Sequence, residues 1–218
     1  PLHTPQNWQI ASKRREVYQW NRFWYDNEPK VAAAIDFYSR FPMNGFRLEC
    51  PSKKILSFFE HHIVKKLKLN EVFKMISSEY FMLGDVFIHL NVSCPKCKGT
   101  GTDPETGDRC DHKGGIYNRI VILNPDWIEV QQSPLVDEPQ IALNPDEELK
   151  NIVFYKQPKA IYDRIPDFIK KLVIQGKPIP LSNRTTHHLK HMPVPYGTYG
   201  TSLTRRLFTT LAYKTKIM

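Results

Sequence analysis

The spacing of apolar residues divides the 218-residue chain into helical and extended stretches. Val31, Ala34, Ile35 and Tyr38 share one face of a helix running to Phe41, and Asn27-Glu28-Pro29 is suited to start it, a capping side chain followed by a first-turn proline. Ser52 can cap a second helix, whose apolar positions Ile55, Phe58, Phe59 and Ile63 recur at three and four residues. A third begins at Asn70, with Val72, Phe73, Ile76, Tyr80 and Leu83 in its stripe and Gly84 where a left-handed residue would close it. The period then changes to two. Val86, Ile88, Leu90 and Val92 alternate, as do Ile120 and Ile122 within Tyr117 to Leu123, which predicts two strands pairing as a long hairpin around a cysteine-bearing segment.

Asn124-Pro125-Asp126 turns the chain into a further strand, Trp127 to Gln131. Ser133 to Asn151, rich in proline and carboxylates, reads as a surface excursion, and Ile152 to Tyr155 as a return to extended chain. Asp163 to Ile174 has a helical face of Ile165, Phe168, Ile169 and Leu172, with Gly176 after its end; Pro178 and Pro180 then interrupt any regular pattern. His188 to Tyr199 reads as a polar extended run and a proline and glycine loop. A last helix opens near Thr201-Ser202 and carries Leu203, Leu207, Phe208 and Leu211. The aromatic opening (Trp8, Tyr18, Trp20, Phe23, Trp24, Tyr25) reads as core. The expected fold class is α+β, one compact unit with insertions. The helical pattern is still running at Met218, so we expect an ordered piece of a longer polypeptide.

Composition narrows the function. Apolar residues at 41% and charged residues at 24% suit a packed globular fold and exclude a disordered or fibrous chain. The longest apolar run, Val31 to Ile35, is far short of the roughly 20 residues a bilayer crossing needs, and Pro1-Leu2-His3-Thr4-Pro5 lacks the regions of a secretion signal. The 31 Lys and Arg against 22 Asp and Glu, a net +9, favour a polyanionic partner, nucleic acid first, over an acidic small substrate. Clusters such as Lys65-Lys66-Leu67-Lys68 and Arg205-Arg206 fit a solvated surface equally well.

The strongest local signal is Cys94-Pro95-Lys96-Cys97-Lys98-Gly99-Thr100-Gly101, succeeded by Cys110-Asp111-His112-Lys113-Gly114-Gly115. A two-residue gap lets both thiolates reach one ion from a single tight turn, and the glycines let backbone amides approach sulfur. Cys110 and His112, on the return limb of the hairpin, complete a Cys3His set of Cys94, Cys97, Cys110 and His112. Zinc would fasten the hairpin tip with Zn–S bonds of about 2.3 Å, a contribution of roughly 10 to 16 kcal/mol in isolated zinc peptides. Four protein ligands leave no open position for water, so the expected ion is structural. His112 is the weakest of the four, since Asp108 or Asp111 could substitute.

Other candidates carry less. Cys50 reads as a small buried apolar residue at the end of an extended piece, Gly45 to Cys50. His61-His62 and His187-His188-Leu189-Lys190-His191 lack partners at metal spacing and read as solvated or packing histidines. The sequence has no Walker-type phosphate loop, Gly-x-Ser-x-Gly elbow or His-Glu-x-x-His helix, and no catalytic residue is assigned. A deaminase-like reading, with metal-bound water on Cys94, Cys97 and Cys110, lacks the His/Cys-x-Glu partner before Cys94.

The stretch from His188 to Leu207, with its Pro195-Tyr196-Gly197-Thr198-Tyr199-Gly200-Thr201-Ser202 loop, resembles the portal (connector) proteins of tailed bacteriophages, in which a Tyr-Gly-x-Ser type loop precedes a helix at the end of the wing region. Three earlier stretches agree in order. Asn27 to Asp36 resembles the early helix, Leu83-Gly84-Asp85-Val86-Phe87-Ile88 the wing strand after a long helix, and Ile122 to Ile128 the "leucine, x, proline, aspartate" opening of a strand. The cysteine segment is not a general feature of that family.

The resemblance implies a wing domain of helices packed on antiparallel strands with an inserted zinc-stapled hairpin. Residues 1–92 would form its helical and strand part, 93–115 the zinc insert, 116–200 a strand-rich part, and 201–218 the start of a helix leading towards the stem. It implies a homo-oligomeric ring, usually a dodecamer, at one capsid vertex of the virion, assembled in the host cytoplasm. Its partners would be the major capsid protein, the terminase motor and the neck or tail adaptor proteins, with double-stranded DNA passing nonspecifically and no membrane. The motor ATPase is a separate protein in that family, so no enzymatic activity is implied here. The competing reading is a zinc-ribbon nucleic-acid-binding module in which Lys96, Lys98, Arg109 and Lys113 meet phosphates.

Overall fold

In a computed structural model of the chain, residues 13–43, 45–94, 116–133, 135 and 138–217 are described. The fold is α+β: eight α-helices and two small antiparallel sheets among these residues. The chain forms two compact units, one from the residues up to Val86 together with those from His188 onward, the other from Phe87 to His187.

The first unit opens with α1 (Arg14–Asn27) and α2 (Pro29–Arg40). From Tyr18 to Tyr25 the aromatic opening is helical, and α1 buries Val17, Tyr18, Asn21 and Trp24 at helical spacing while Phe23 is exposed; Trp8 lies outside the described residues. Asn27 does not cap α2 as its sequence position suggests. It is the last residue of α1, where its Nδ2 donates to Phe23 O at 2.8 Å, and Pro29 opens α2 directly after Glu28. The buried row of α2 is Val31, Ile35 and Ser39; Ala34 and Tyr38 of the expected face are exposed. Ser52 does cap α3 (Lys53–Phe59), its Oγ accepting from Ile55 N at 3.5 Å. The helix then widens into a π turn, Glu60–Lys65, before α4 (Leu69–Leu83).

Gly84 closes α4 in the left-handed region, φ 84°, as its position predicts. Cys50 lies in irregular chain and is half-buried, because Gly45 to Cys50 forms no strand that could cover it. The chain returns to this unit for a 3-10 turn, Arg205–Leu207, and α8 (Phe208–Ile217). This last helix begins later than Thr201-Ser202 suggests, because Ser202 and Thr204 spend their hydroxyls on Asn21. Val17, Tyr18, Trp24, Val31, Ile35, Met82, Leu83, Phe208 and Leu211 make the core of this unit. Each fully buried apolar side chain contributes about 1.5–3 kcal/mol.

The second unit contains the expected hairpin. In β1 (Asp85–Ser93) and β2 (Ile116–Leu123), Phe87 lies opposite Leu123 and Ser93 opposite Ile116, with a bulge at Asn91/Val92. Asn124 caps a 3-10 turn, Pro125–Trp127, its Oδ1 accepting from Asp126 N at 3.0 Å, and β3 (Ile128–Gln131) comes next. The expected surface excursion contains regular structure. β4 (Gln140–Leu143) pairs with β3, and Asp146 then starts α5 (Glu147–Tyr155), its Oδ1 accepting from Leu149 N at 2.8 Å.

Ile152 to Tyr155 is helical, the β-branched Ile152-Val153 pair being overruled by that cap and by the burial of Val153. The helix expected from Asp163 begins only after Pro166, as α7 (Asp167–Ile174), and a separate short helix, α6 (Lys159–Tyr162), precedes it. Pro178 and Pro180 flank and enter a short strand, β5 (Ile179–Leu181). Pro180 faces Ala142 at the edge of the β3-β4-β5 sheet, where a missing N–H is tolerated. β6 (Thr186–Lys190) completes the other sheet, order β2-β1-β6. Among the described residues no helix is long and apolar enough to cross a membrane.

Two glycines separate conformational cost from crowding. A Cβ on Gly84 would stand 2.5 Å from Thr201 C and Ser202 N, whereas one on Gly176, φ 64°, meets nothing within 4 Å. Gly176→Ala should cost about 1 kcal/mol of left-handed strain. Gly84→Ala adds overpacking to the same strain and should cost about 3 kcal/mol. Urea unfolding of the two variants measures this, and equal losses would show that the approach of the 201–202 backbone is not tight.

Candidate functional site

Two groups of chemistry-bearing side chains stand out, the proposed metal ligands and a buried polar cluster in the first unit. Of the ligand set, Cys94 lies directly after β1 and is 7% exposed. Cys97, Cys110 and His112 lie outside the described residues, as do Lys96, Lys98, Arg109 and Lys113. The β1–β2 register runs to Ser93 opposite Ile116, so strand pairing closes the base of the segment that carries the other three. Among the described residues no group of three His, Cys, Asp or Glu side chains is gathered to hold a metal. His61 is exposed and His62 half-buried against Phe58.

The buried cluster centres on Asp85, the first residue of β1, with no exposed surface. Tyr18 Oη donates to its Oδ2 at 2.8 Å, while Gly200 N and His188 Nε2 donate to its Oδ1, each at 2.7 Å. The Arg14 guanidinium pairs with the same carboxylate and also donates to Gly200 O at 2.9 Å. That guanidinium lies over the Tyr18 and Tyr199 rings, 4.6 and 5.0 Å from their centroids.

The neighbouring loop is tied down by its backbone: His191 N donates to Gly84 O at 2.9 Å and Thr201 N to His191 O at 2.7 Å. His191 Nδ1 donates to Thr201 O at 2.6 Å. A second buried knot lies beside it, where Ser202 Oγ and Thr204 Oγ1 donate to Asn21 Oδ1 at 3.0 and 2.7 Å. At the far end of the loop and helix, Lys214 of α8 pairs with Glu28 and holds that carboxyl below its usual range.

Burial, reinforced by the cations Lys190 and Arg14, pushes His188 down to about 3. The Asp85 carboxylate beside it would act the other way, but its charge is already met by Arg14. His188 is therefore neutral at physiological pH and donates its Nε2–H. An aspartate holding a histidine is half of a catalytic dyad, yet the His188 side chain is 4% exposed and Asp85 is sealed. Neither can reach a substrate, so the cluster works as a clasp joining α1, the start of β1 and the loop before α8.

His188 and His191 are thus packing histidines, as their lack of metal-spaced partners suggested. Asp85 and Arg14 were not singled out by sequence reasoning. The signal for Asp85 was a charged residue between a helix-closing glycine and an apolar strand; Arg14, at the start of α1, carried none. No protein-family model, no curated protein and no solved structure matches the chain.

The depressed His188 value fixes a sign. The unfolded histidine takes up a proton near its ordinary pKa of about 6.5 and the folded one refuses it until about 3. Its contribution to stability is therefore whole above about 6.5 and drains away as pH falls towards 3. Between pH 6.5 and 4 the loss should be on the order of 3 kcal/mol. Chemical denaturation across that range should show a clearly shallower slope for His188→Gln, and an identical slope in both proteins would mean the histidine is protonated in the fold. Asp85→Asn, which strands Arg14 without its counter-charge, should cost about 3 kcal/mol at neutral pH.

Proposed function

We propose that the chain is the wing region of a portal protein, a structural virion component with no catalytic role. In this reading copies close into a ring, usually of twelve, at one capsid vertex. Genomic DNA passes through the ring during packaging and ejection, and the terminase motor and neck or tail adaptors dock on it in turn. The observation that carries the reading is the meeting around Asp85 of two segments that resemble portal proteins and lie more than a hundred positions apart. Leu83 to Ile88 supplies Gly84 and Asp85, and the stretch from His188 supplies His188, His191, Gly200 and Thr201. A third such segment, Asn27 to Asp36, is tied by Glu28 to α8.

The insert would be stapled by zinc on Cys94, Cys97, Cys110 and His112. The buried position of Cys94 at the closed base of the hairpin supports this. Zinc there would cross-link the tip and supply no reacting group, so shape alone would be its product. A DNA conduit suits weak, sequence-independent phosphate attraction, since tight contacts would stall translocation. The zinc-ribbon nucleic-acid alternative fits the charge distribution less well. Residues 87–187, which include the hairpin, hold 13 Lys and Arg against 13 Asp and Glu.

Electron microscopy of the intact polypeptide should show closed rings, and a persistent monomer under assembly conditions overturns the portal reading. Metal analysis after dialysis against metal-free buffer should find one zinc per chain, falling to a small fraction in Cys97→Ser. Well-folded protein without stoichiometric metal removes the staple.

A further inference from the structure

Among the described residues α3 and the π turn after it carry an apolar face that is left uncovered. α3 and the π turn bury no residue, and Ile55, Phe58 and Phe59 stand 49, 50 and 46% exposed. The Phe58 and Phe59 rings meet edge to face at 5.7 Å, so the apolar surface is continuous. Lysine edges it: residues 53–68 hold five lysines and one glutamate. π turns are rare and concentrate at functional positions, and this one lies within the uncovered segment. An apolar face ringed by cations is satisfied by a surface that is apolar and acidic, and a solvent-facing patch of this kind marks a contact site.

The other unit of the same chain carries carboxylates and exposed apolar side chains. Between Arg119 and Lys150 the sequence has seven carboxylates and no lysine or arginine. Glu138 just before β4 and Glu147 and Glu148 at the start of α5 are exposed, Glu147 pairing with Lys150 at 3.1 Å; Leu135, three residues before Glu138, is 94% exposed and Phe154, at the far end of α5, 57%. The units divide the charge sharply. Residues 1–86 and 188–218 hold 18 Lys and Arg against 9 Asp and Glu, which is the whole net +9, whereas the second unit is neutral.

We propose that the lysine-edged face of α3 on one copy seats on the acidic β3–β4–α5 surface of the next. Two different patches make this contact heterologous, so it propagates head to tail and closes where the rotation allows. Closure into a ring rests on the portal reading; the pairing of the two patches does not. Because the contact is electrostatic at its edge, assembly weakens as the screening length falls from about 10 Å at 0.1 M salt to about 3 Å at 1 M.

Sedimentation velocity of the intact protein tests this with two charge reversals, Lys53→Glu/Lys54→Glu/Lys65→Glu and Glu138→Lys/Glu147→Lys/Glu148→Lys. Each alone should raise the concentration for half-assembly at least tenfold. Mixing the two variants, or placing both sets in one chain, should restore assembly, which a folding defect could not do. Wild-type rings that survive both reversals overturn this inference and leave the portal reading standing. Charge-dependent open oligomers without rings support the inference and overturn closure. A wild type that stays monomeric overturns both. If the lysine reversal leaves assembly intact and abolishes retention on double-stranded DNA, the face belongs to nucleic acid and the inference falls.

Discussion

A carboxylate with no solvent is the constraint from which the first unit is organised. Removing an ionised aspartate from water costs several kcal/mol unless charge and hydrogen bonds replace the lost hydration. Asp85 obtains both, from Arg14, Tyr18, His188 and the Gly200 amide. Those donors come from α1, β6 and the loop before α8, so satisfying one side chain determines where three separate pieces of chain must be. The left-handed Gly84 just before it and the backbone of Thr201 and Ser202 approach at close range. No side chain fits between them, and the loop is seated by main-chain contacts that a substitution at Gly84 would push apart.

The clasp also bears on function. An Asp–His pair open to a pocket would invite a catalytic reading. Here the pair is sealed, the histidine is held neutral, and the arginine covers the carboxylate. Its chemistry is consumed in holding the fold. What remains for interaction is surface, and the surface is unevenly charged: a basic unit with an uncovered aromatic helix, and a neutral unit with a carboxylate-rich sheet edge. Those two surfaces are the ground on which the inference drawn from α3 was built.

Much of the element order was legible in local pattern. Ser52 as a cap, Gly84 as a helix end, the alternation of Val86 to Val92 against Ile120 and Ile122, and the Asn124-Pro125 turn all lie where spacing and turn chemistry put them. The errors share a cause. Gln140–Leu143 is four residues between prolines, too short to announce itself, and becomes a strand because β3 and β5 supply its ladders. Ile152-Val153 has strand propensity but comes after an aspartate cap that commits it to a helix. The proposed zinc ligands rest on spacing, and only Cys94 among them lies in described structure.

The sequence by itself determined the α+β class, the hairpin, the excess of positive charge and the cysteine spacing, because each depends on neighbours within a few residues or on simple counting. Only the tertiary structure decided that Asp85 is the hub, that His188 is neutral, and that the apolar face of α3 is left open. Those outcomes depend on which distant residues arrive beside a given side chain and on how much water they exclude, and local periodicity carries no record of either.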